Sequence, residues 1–493
     1  MQSAECKVKS VRVKDLRVFH FVLCTLQSAL FILALPGIKT ANAEDAPPKL
    51  VGSASCAAAA CHGGLAGHKF VGSEFPIWAA RDPHSRAYSV LRNDLSRQMA
   101  ELLKLPKPAH ESAVCLNCHS PATSTDSKLS SVSGLVPLAG VDCEQCHGPA
   151  ERWRTEHVRT DWKPRTADDK RRRGYRDLKD VLTRANVCAD CHVGGPGRDV
   201  NHDLIAAGHP RLFFELSTFH ANWPKHWPAE ADAKRHPVAE SATGSVFEAK
   251  SWAVGQVVTA QRSLELLSQR AELAKREPAK WPELAEWNCF ACHHDLQSAS
   301  WWQSKDAAKR PRVSFGWNAW PYAMLDPLAR QFVGSGIEIP QAELARLRAQ
   351  FVTPILPADM VSRDANVAAQ RLRAAAERFN HADAAKHVLS PKSLAALRLA
   401  FVTDEGPSLV NRDWDSATQL FLSLSALQHS IIASSDTVSE RDRQITLVLD
   451  SMNETLNFQP GLRSPRDFAA QPIDRLQADL QRLQKLLDGS PKN

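Results

Sequence analysis

Two regimes of hydrophobic patterning divide the chain. After about Trp320, apolar residues recur at helical spacing: Leu420, Phe421, Leu424, Leu427 and Ile431 in one segment, Leu476, Leu480, Leu483 and Leu487 in the last. Further helices are predicted over Gln341–Val352, Ser362–Phe379 and Pro391–Val402. Between about Cys56 and His293 the chain is instead rich in Gly, Pro and Trp and poor in long periodic segments. One exception is Ser245–Ala274, where Val246, Trp252, Val257, Leu264 and Leu267 sit among good helix formers and Pro278 lies beyond the end. It reads as a single long helix. The pattern predicts a mainly α protein, with short helices and irregular loops in the first regime and a helical domain in the second.

A third pattern occupies the N-terminus. Lys7, Lys9, Arg12, Lys14 and Arg17 precede an apolar stretch that is densest at Ala29–Leu35, and Ala41-Asn42-Ala43 supplies small residues at a cleavage position. This predicts a secretory signal over 1–43 and an exported, periplasmic product with no membrane span after cleavage. The alternative is an uncleaved anchor, because Val18–Leu35 is nearly long enough to span a bilayer. The formal charge is +7, and residues 1–43 contribute six basic and two acidic side chains to it, so about +3 remains without them. A nucleic-acid role has no support in that balance. A local basic run at Asp169–Lys179 reads as a solvated loop, with pairing to propionates or an acidic partner as the alternative.

The cysteines carry the chemistry. Cys-x-x-Cys-His occurs four times, at Cys115/Cys118/His119, Cys143/Cys146/His147, Cys188/Cys191/His192 and Cys289/Cys292/His293. A wider version, with four residues between the cysteines, is Cys56/Cys61/His62. In a c-type haem site the two sulfurs form thioethers to one porphyrin, and the adjacent histidine ligates the iron from beneath. Paired cysteines also build zinc sites, but zinc does not require a histidine after every pair. Disulfides are the other reading; once Cys6 and Cys24 are set aside, the ten remaining cysteines are all used by the five motifs. Five covalently bound haem c groups are expected, each motif wrapped in a short helix, and their propionates would bring the holoprotein near neutral or acidic.

Each motif leaves one axial position to fill. Beyond the signal the methionines are Met99, Met324, Met360 and Met452, and only Met99 lies among the motifs. Histidines are ample there: His68, His84, His110, His157, His202, His209, His220, His226, His236 and His294. Bis-histidine ligation is therefore the default. His202 and His209 are seven apart, on one face if helical; both are expected to ligate, one of them at the His192 motif, with His226 the next choice.

The run from the first motif through Trp78, Asp82–Tyr88 and "GVDCEQCHGPAERWRTEH" resembles the cytochrome c-554 family over roughly Ser53–His192. That family's tetrahaem member accepts electrons from hydroxylamine oxidoreductase. The resemblance implies that His84 and His157 are distal ligands, with His157 serving the His62 motif and His84 the His147 motif. It also implies that the His119 motif lacks a distal protein ligand. The wide first motif, the fifth motif and the helical tail depart from the family.

The expected organisation is a signal peptide at 1–43, a pentahaem cytochrome domain at 44–320 and a helical domain at 321–493. The expected role is electron transfer between redox partners such as a quinol dehydrogenase, other cytochromes or a periplasmic oxidoreductase. The alternative is an oxidoreductase acting on a small nitrogen or sulfur species at one five-coordinate haem.

Overall fold

Gly and Pro interrupt the motif region too often for long helices. A computed structural model describes residues 46–64, 72–121, 140–228, 230–235, 237–238, 241–293, 316–333, 335–352, 354–381, 389–435, 437–457 and 471–488. The signal expected over 1–43, and His68, His236 and His294, lie outside the described residues. In the motif region the helices are α1 (Glu74–Arg81), α2 (Asp94–Leu102), α3 (Ala113–His119), α4 (Cys143–His147), α5 (Ala167–Arg172) and α6 (Val181–His192). They continue with α7 (His202–Ala206), α8 (Leu216–Asn222) and α9 (Glu230–Arg235). Side-chain caps start several of them. Asp142 opens α4 in a capping box with Gln145, Asp180 accepts from Thr183 N at 2.8 Å, and Asn201 accepts from Leu204 N at 3.0 Å. A short antiparallel hairpin, β1 (Pro237–Val238) and β2 (Ser241–Ser245), precedes the long helix α10 (Phe247–Leu273).

The second regime follows: α11 (Leu325–Gln331), α12 (Gln341–Gln350), α13 (Ala358–Asn380), α14 (Pro391–Ala400), α15 (Gly406–Arg412), α16 (Trp414–Ala433), α17 (Glu440–Leu456) and α18 (Gln471–Leu487). The periodic segments of the sequence all fall on helices. α17 has no counterpart among the expected helices, although its buried Ile445, Val448, Leu449 and Met452 recur at helical spacing.

α10 organises the molecule. Ala249, Trp252, Ala253, Val254, Val257, Val258, Ala260, Leu264 and Leu267 are fully buried, so apolar side chains point inward on every face. α13 runs along it with a stripe of buried Ala365, Ala368, Ala369, Ala375 and Ala376, whose small side chains permit a close approach. α6, α8 and α16 pack on its other sides. At α8 the approach needs a glycine: a Cβ on Gly255 would stand 2.6 Å from Leu216 Cβ. Two buried polar contacts tie α10 to α16, Ala249 N to Ser430 Oγ at 2.8 Å and Gln256 Nε2 to Gln419 Oε1 at 2.8 Å. The shared core runs from Val181 to Leu483, so it crosses position 320, and residues 49–493 form one unit. Leu267→Ala is expected to cost about 2–5 kcal/mol, because it opens a cavity at a fully buried position. Denaturant unfolding followed by far-ultraviolet circular dichroism measures it.

The region before Val181 is different. Its described apolar cores are two small clusters, one around Tyr88, Leu91, Ala100, Ala109 and Leu116, the other around Ala150, Trp153 and Trp162. That is little buried surface for a segment of this length, so a large apolar cofactor suits it.

Candidate functional site

The motifs build their sites locally. In α3, α4 and α6 the two cysteines and the histidine stand at i, i+3 and i+4, which places all three on one helix face. Each of these helices ends at its histidine. The wide first motif cannot use that geometry; it begins in a 3₁₀ turn, Ser53–Cys56, and closes through turns at 59–62. All ten described cysteines are free of disulfides. Among the described residues no three His, Cys, Asp or Glu side chains converge as ligands for a bare metal ion.

The fifth motif corrects the expectation of a helix at every Cys-x-x-Cys-His. It is a 3₁₀ turn, Cys289–Ala291, capped by Asn288, which accepts from Phe290 N at 2.9 Å. Cys292 falls outside that turn as its C-cap, at φ −113° and ψ −34°, and it is exposed, whereas Cys118, Cys146 and Cys191 on their helices are half-buried. The backbone gives the reason: Cys292 N and His293 N both converge on Cys289 O, at 3.3 and 2.7 Å, so the chain closes one tight turn and no helical ladder advances through it. Cys289 is the sheltered sulfur of this pair, and burial raises its thiol. Cys292 offers its sulfur from the open side, as Cys61 does at the first motif.

Each motif histidine faces a second histidine from elsewhere in the chain. The ring centroids are 6.1 Å apart for His62 and His157, and 6.3 Å for His119 and His209. For His147 and His226 the separation is 6.3 Å, for His192 and His84 6.0 Å, and for His293 and His202 6.4 Å. Two imidazoles on opposite sides of one iron have centroids about 6 Å apart, since each metal–nitrogen bond is about 2 Å and each centroid lies about 1 Å behind its nitrogen. The five pairs fit a six-coordinate haem iron at every motif.

The far nitrogens are held. His62 Nδ1 bonds Glu74 Oε2 at 3.0 Å and His84 Nδ1 bonds Asp82 Oδ1 at 2.9 Å. His119 Nδ1 donates to Ala87 O at 2.9 Å and His209 Nδ1 to Pro210 O at 2.8 Å. With Nδ1 donating to oxygen, Nε2 is the lone-pair nitrogen turned towards the partner ring, the arrangement a metal-binding histidine needs. His157 and His226 have no partner at Nδ1 among the described residues; Trp153 at 5.5 Å and Trp227 at 5.0 Å pack edge-on against them instead. Burial pushes His147 and His192 down to about 4, and the neighbouring His226 and His84 add to it. Burial lowers His119, His209 and His226 as well. These rings are neutral at pH 7, which is the ligating form.

Three expectations about the distal histidines change here. His84 stands against His192 rather than His147. Asp82 decides this, because its carboxylate takes His84 Nδ1 and, through Oδ2, the Trp223 indole at 2.8 Å. Burial pushes Asp82 up, but the bonds from His84 and Trp223 outweigh it and hold the carboxyl below its usual range. His147 is faced by His226, on the loop that Trp223 anchors. Neither His202 nor His209 reaches His192, and they do not share a helix face. α7 ends at Ala206, and Gly208, at φ +121, turns the chain so that His209 meets His119 while His202 meets His293. The His119 motif therefore has a second histidine opposite it.

Several positioning residues carry no motif signal. Glu144, the first residue between Cys143 and Cys146, is buried and accepts from Val51 N at 3.0 Å, Gly52 N at 2.7 Å and Ala150 N at 2.7 Å. It thereby docks the first motif's leading segment onto the third motif. Gly148, at φ +88, lets the chain leave His147 sharply, and a Cβ there would stand 2.0 Å from Gly174 O. Arg176 N then reaches His147 O at 2.9 Å. His220 is no part of a histidine pair; its Nε2 bonds Asp232 Oδ2 at 3.1 Å, alongside Arg184 and Trp227, and this hub braces the loop bearing His226.

Sulfurs from different motifs lie near one another. The Cys56 and Cys143 thiols are close enough to shift each other's ionisation, as are those of Cys118 and Cys191. Cys146 feels Cys188 and Cys191, and burial with those thiols pushes it up to about 12. The first motif thus adjoins the third, the third the fourth, and the fourth the second. α7 then bridges the second motif to the fifth, since it presents His202 and is followed by His209.

Five Cys–Cys–His motifs, each faced by a second histidine, make up the residue set that c-type haem sites use. Residues 55–148, which hold the first three motifs and His84, match the family profile of cytochrome c554 and c-prime. The fourth and fifth motifs and the helices after them lie outside that match. No curated protein and no solved structure matches the chain. The matched domain supports a haem-based electron-transfer or oxidoreductase role. No helix among the described residues is long and apolar enough to cross a membrane.

Proposed function

We propose that the protein is an exported, periplasmic pentahaem c-type cytochrome that passes electrons between redox partner proteins. When bound, haem c supplies a one-electron ferric–ferrous couple at each motif. The chain's own work is to hold five histidine pairs at fixed separation, to place adjacent motifs edge to edge, and to bury the rings. The single observation that carries this reading is the second histidine at all five motifs, including His209 opposite His119. Six-coordinate bis-histidine sites favour electron transfer at low potential over small-molecule chemistry, because no axial position is left for a substrate. The contacts between motifs support one order: first, third, fourth, second, fifth. Residues 44–320 would carry the haems and 321–493 would brace the fifth motif, a role supported by the bond from Asn288 Nδ2 to Asp413 Oδ2 at 2.9 Å.

Pyridine haemochrome against protein mass is expected to give five haems per chain. The ferric protein is expected to show only low-spin electron paramagnetic resonance signals, and the ferrous protein no spectral shift with carbon monoxide. A bare polypeptide would sink the reading outright. A high-spin haem that binds carbon monoxide would favour the enzymatic alternative.

A further inference from the structure

Residues 151–179 form a lobe beside the first site, built on the small cluster of Trp153, Trp162 and Tyr175. Trp153, Trp162 and Tyr175 pack edge to face at its centre, with Trp153–Tyr175 at 5.2 Å and Trp162–Tyr175 at 5.5 Å. His157, which faces His62, belongs to this lobe, and the next residue, Val158, is 71% exposed. The lobe carries eleven basic and six acidic side chains. Its acids are already occupied. Glu156 takes Arg165 and Arg173, Asp161 takes Arg159 and Arg165, Asp168 takes Arg171, and Asp169 takes Arg172 and Arg173. Glu151 accepts from Lys49 N and Asp177 from Lys179 N. Arg154, Lys163 and Lys179 are exposed with no acidic side chain against them among the described residues. The result is a net-positive surface around an exposed apolar residue, beside the site whose motif is itself open: Cys61 is exposed and the His62 side chain is 40% exposed.

We infer that this lobe is the docking surface for an acidic redox protein, which exchanges electrons with the chain through the first site. The inference rests on the proposed haem reading. Charge of one sign around a small apolar contact suits a transient encounter: it steers the partner in and sets its orientation without burying enough area to hold it. Each exchange moves one electron. A donor flavin hydroquinone anion becomes the neutral semiquinone, one ferric iron becomes ferrous, and no proton is transferred.

The test uses the holoprotein with flavodoxin as the acidic probe, at low ionic strength. Arg154→Glu/Lys163→Glu is compared with a control pair on the C-terminal helices, Arg371→Glu/Arg441→Glu. Haem content and the visible spectrum of each variant are measured first, so a failure of haem attachment is seen separately from a failure of docking. Flavodoxin affinity by surface plasmon resonance and the rate of reduction by its hydroquinone are both expected to fall about tenfold in the lobe variant, and far less in the control. Both effects are expected to fade as salt screens the charges. Reduction by neutral lumiflavin semiquinone is expected to be unchanged. Equal losses in lobe and control variants would overturn the proposal. So would an equal loss with lumiflavin, which would place these cations on the haem rather than on a partner. Loss of binding to phosphatidylglycerol vesicles with unaltered flavodoxin kinetics would assign the lobe to a lipid surface instead.

Discussion

Replacing His209 by Ala is expected to convert one low-spin haem to high-spin and to create a carbon monoxide band in the reduced protein, while the haem count stays at five. His209 is the second histidine at the His119 motif, 6.3 Å from it between ring centroids. Its Nδ1 donates to the adjacent Pro210 carbonyl, so removing the side chain disturbs little besides the ligand. Cys115, Cys118 and His119 keep their place on α3, and attachment depends on them alone. His119→Ala differs: it removes the ligand that sits with the cysteines, and a carbon monoxide band is expected there too. An unchanged low-spin spectrum in His209→Ala would mean that another side chain fills the axial position. Potentiometry adds a second readout, since loss of an imidazole shifts one of the five couples and leaves the rest near their original values.

The second large effect is expected at Asp415. Its side chain is fully buried and forms a bidentate pair with Arg211, at 2.7 and 3.1 Å, while Arg211 also donates to Asn318 at 2.7 Å. Arg211 follows His209 by two residues and feels Cys289, so this pair sits where the second motif's distal histidine meets the fifth motif. Asp415→Ala leaves a largely buried guanidinium without its carboxylate and is expected to cost about 3–5 kcal/mol. Replacing both partners, Arg211→Met with Asp415→Leu, is expected to recover most of that, since no charge is then stranded. Denaturant unfolding measures both variants. If the double variant is no better than the single one, the loss comes from packing at the top of α16 and not from the ion pair.

Much of the C-terminal half was legible from spacing, because amphipathic helices announce themselves through a local period. α13, α14, α16 and α18 lie where the apolar residues recur. α10 was legible as a helix, but its role as the central support was not. That role depends on α13 and α16 closing over it from positions 90 or more residues further on, and on Gly255 admitting α8. The basic run at 169–179 reads as a loop; in the structure it begins in α5 and is laced by Asp168 and Asp169 to its own arginines. At the fifth motif the spacing announced the residues but not their setting, since Cys292 shares its pattern with Cys118, Cys146 and Cys191 and yet stands outside any helix. Glu74, Asp82, Glu144 and Asp232 were illegible as positioning residues. Acidic side chains are common on surfaces, and only the folded chain brings these four to a histidine ring or to a row of backbone N–H groups.

The amino-acid order alone determined where the five Cys–Cys–His motifs are. Each joins residues at most six apart, so the motif is written in local spacing. Only the tertiary structure decided which second histidine stands opposite each of them and which motifs are neighbours. Those pairings join remote segments, and they turn on a carboxylate at Asp82 and a left-handed glycine at Gly208 that orient rings far from them in sequence.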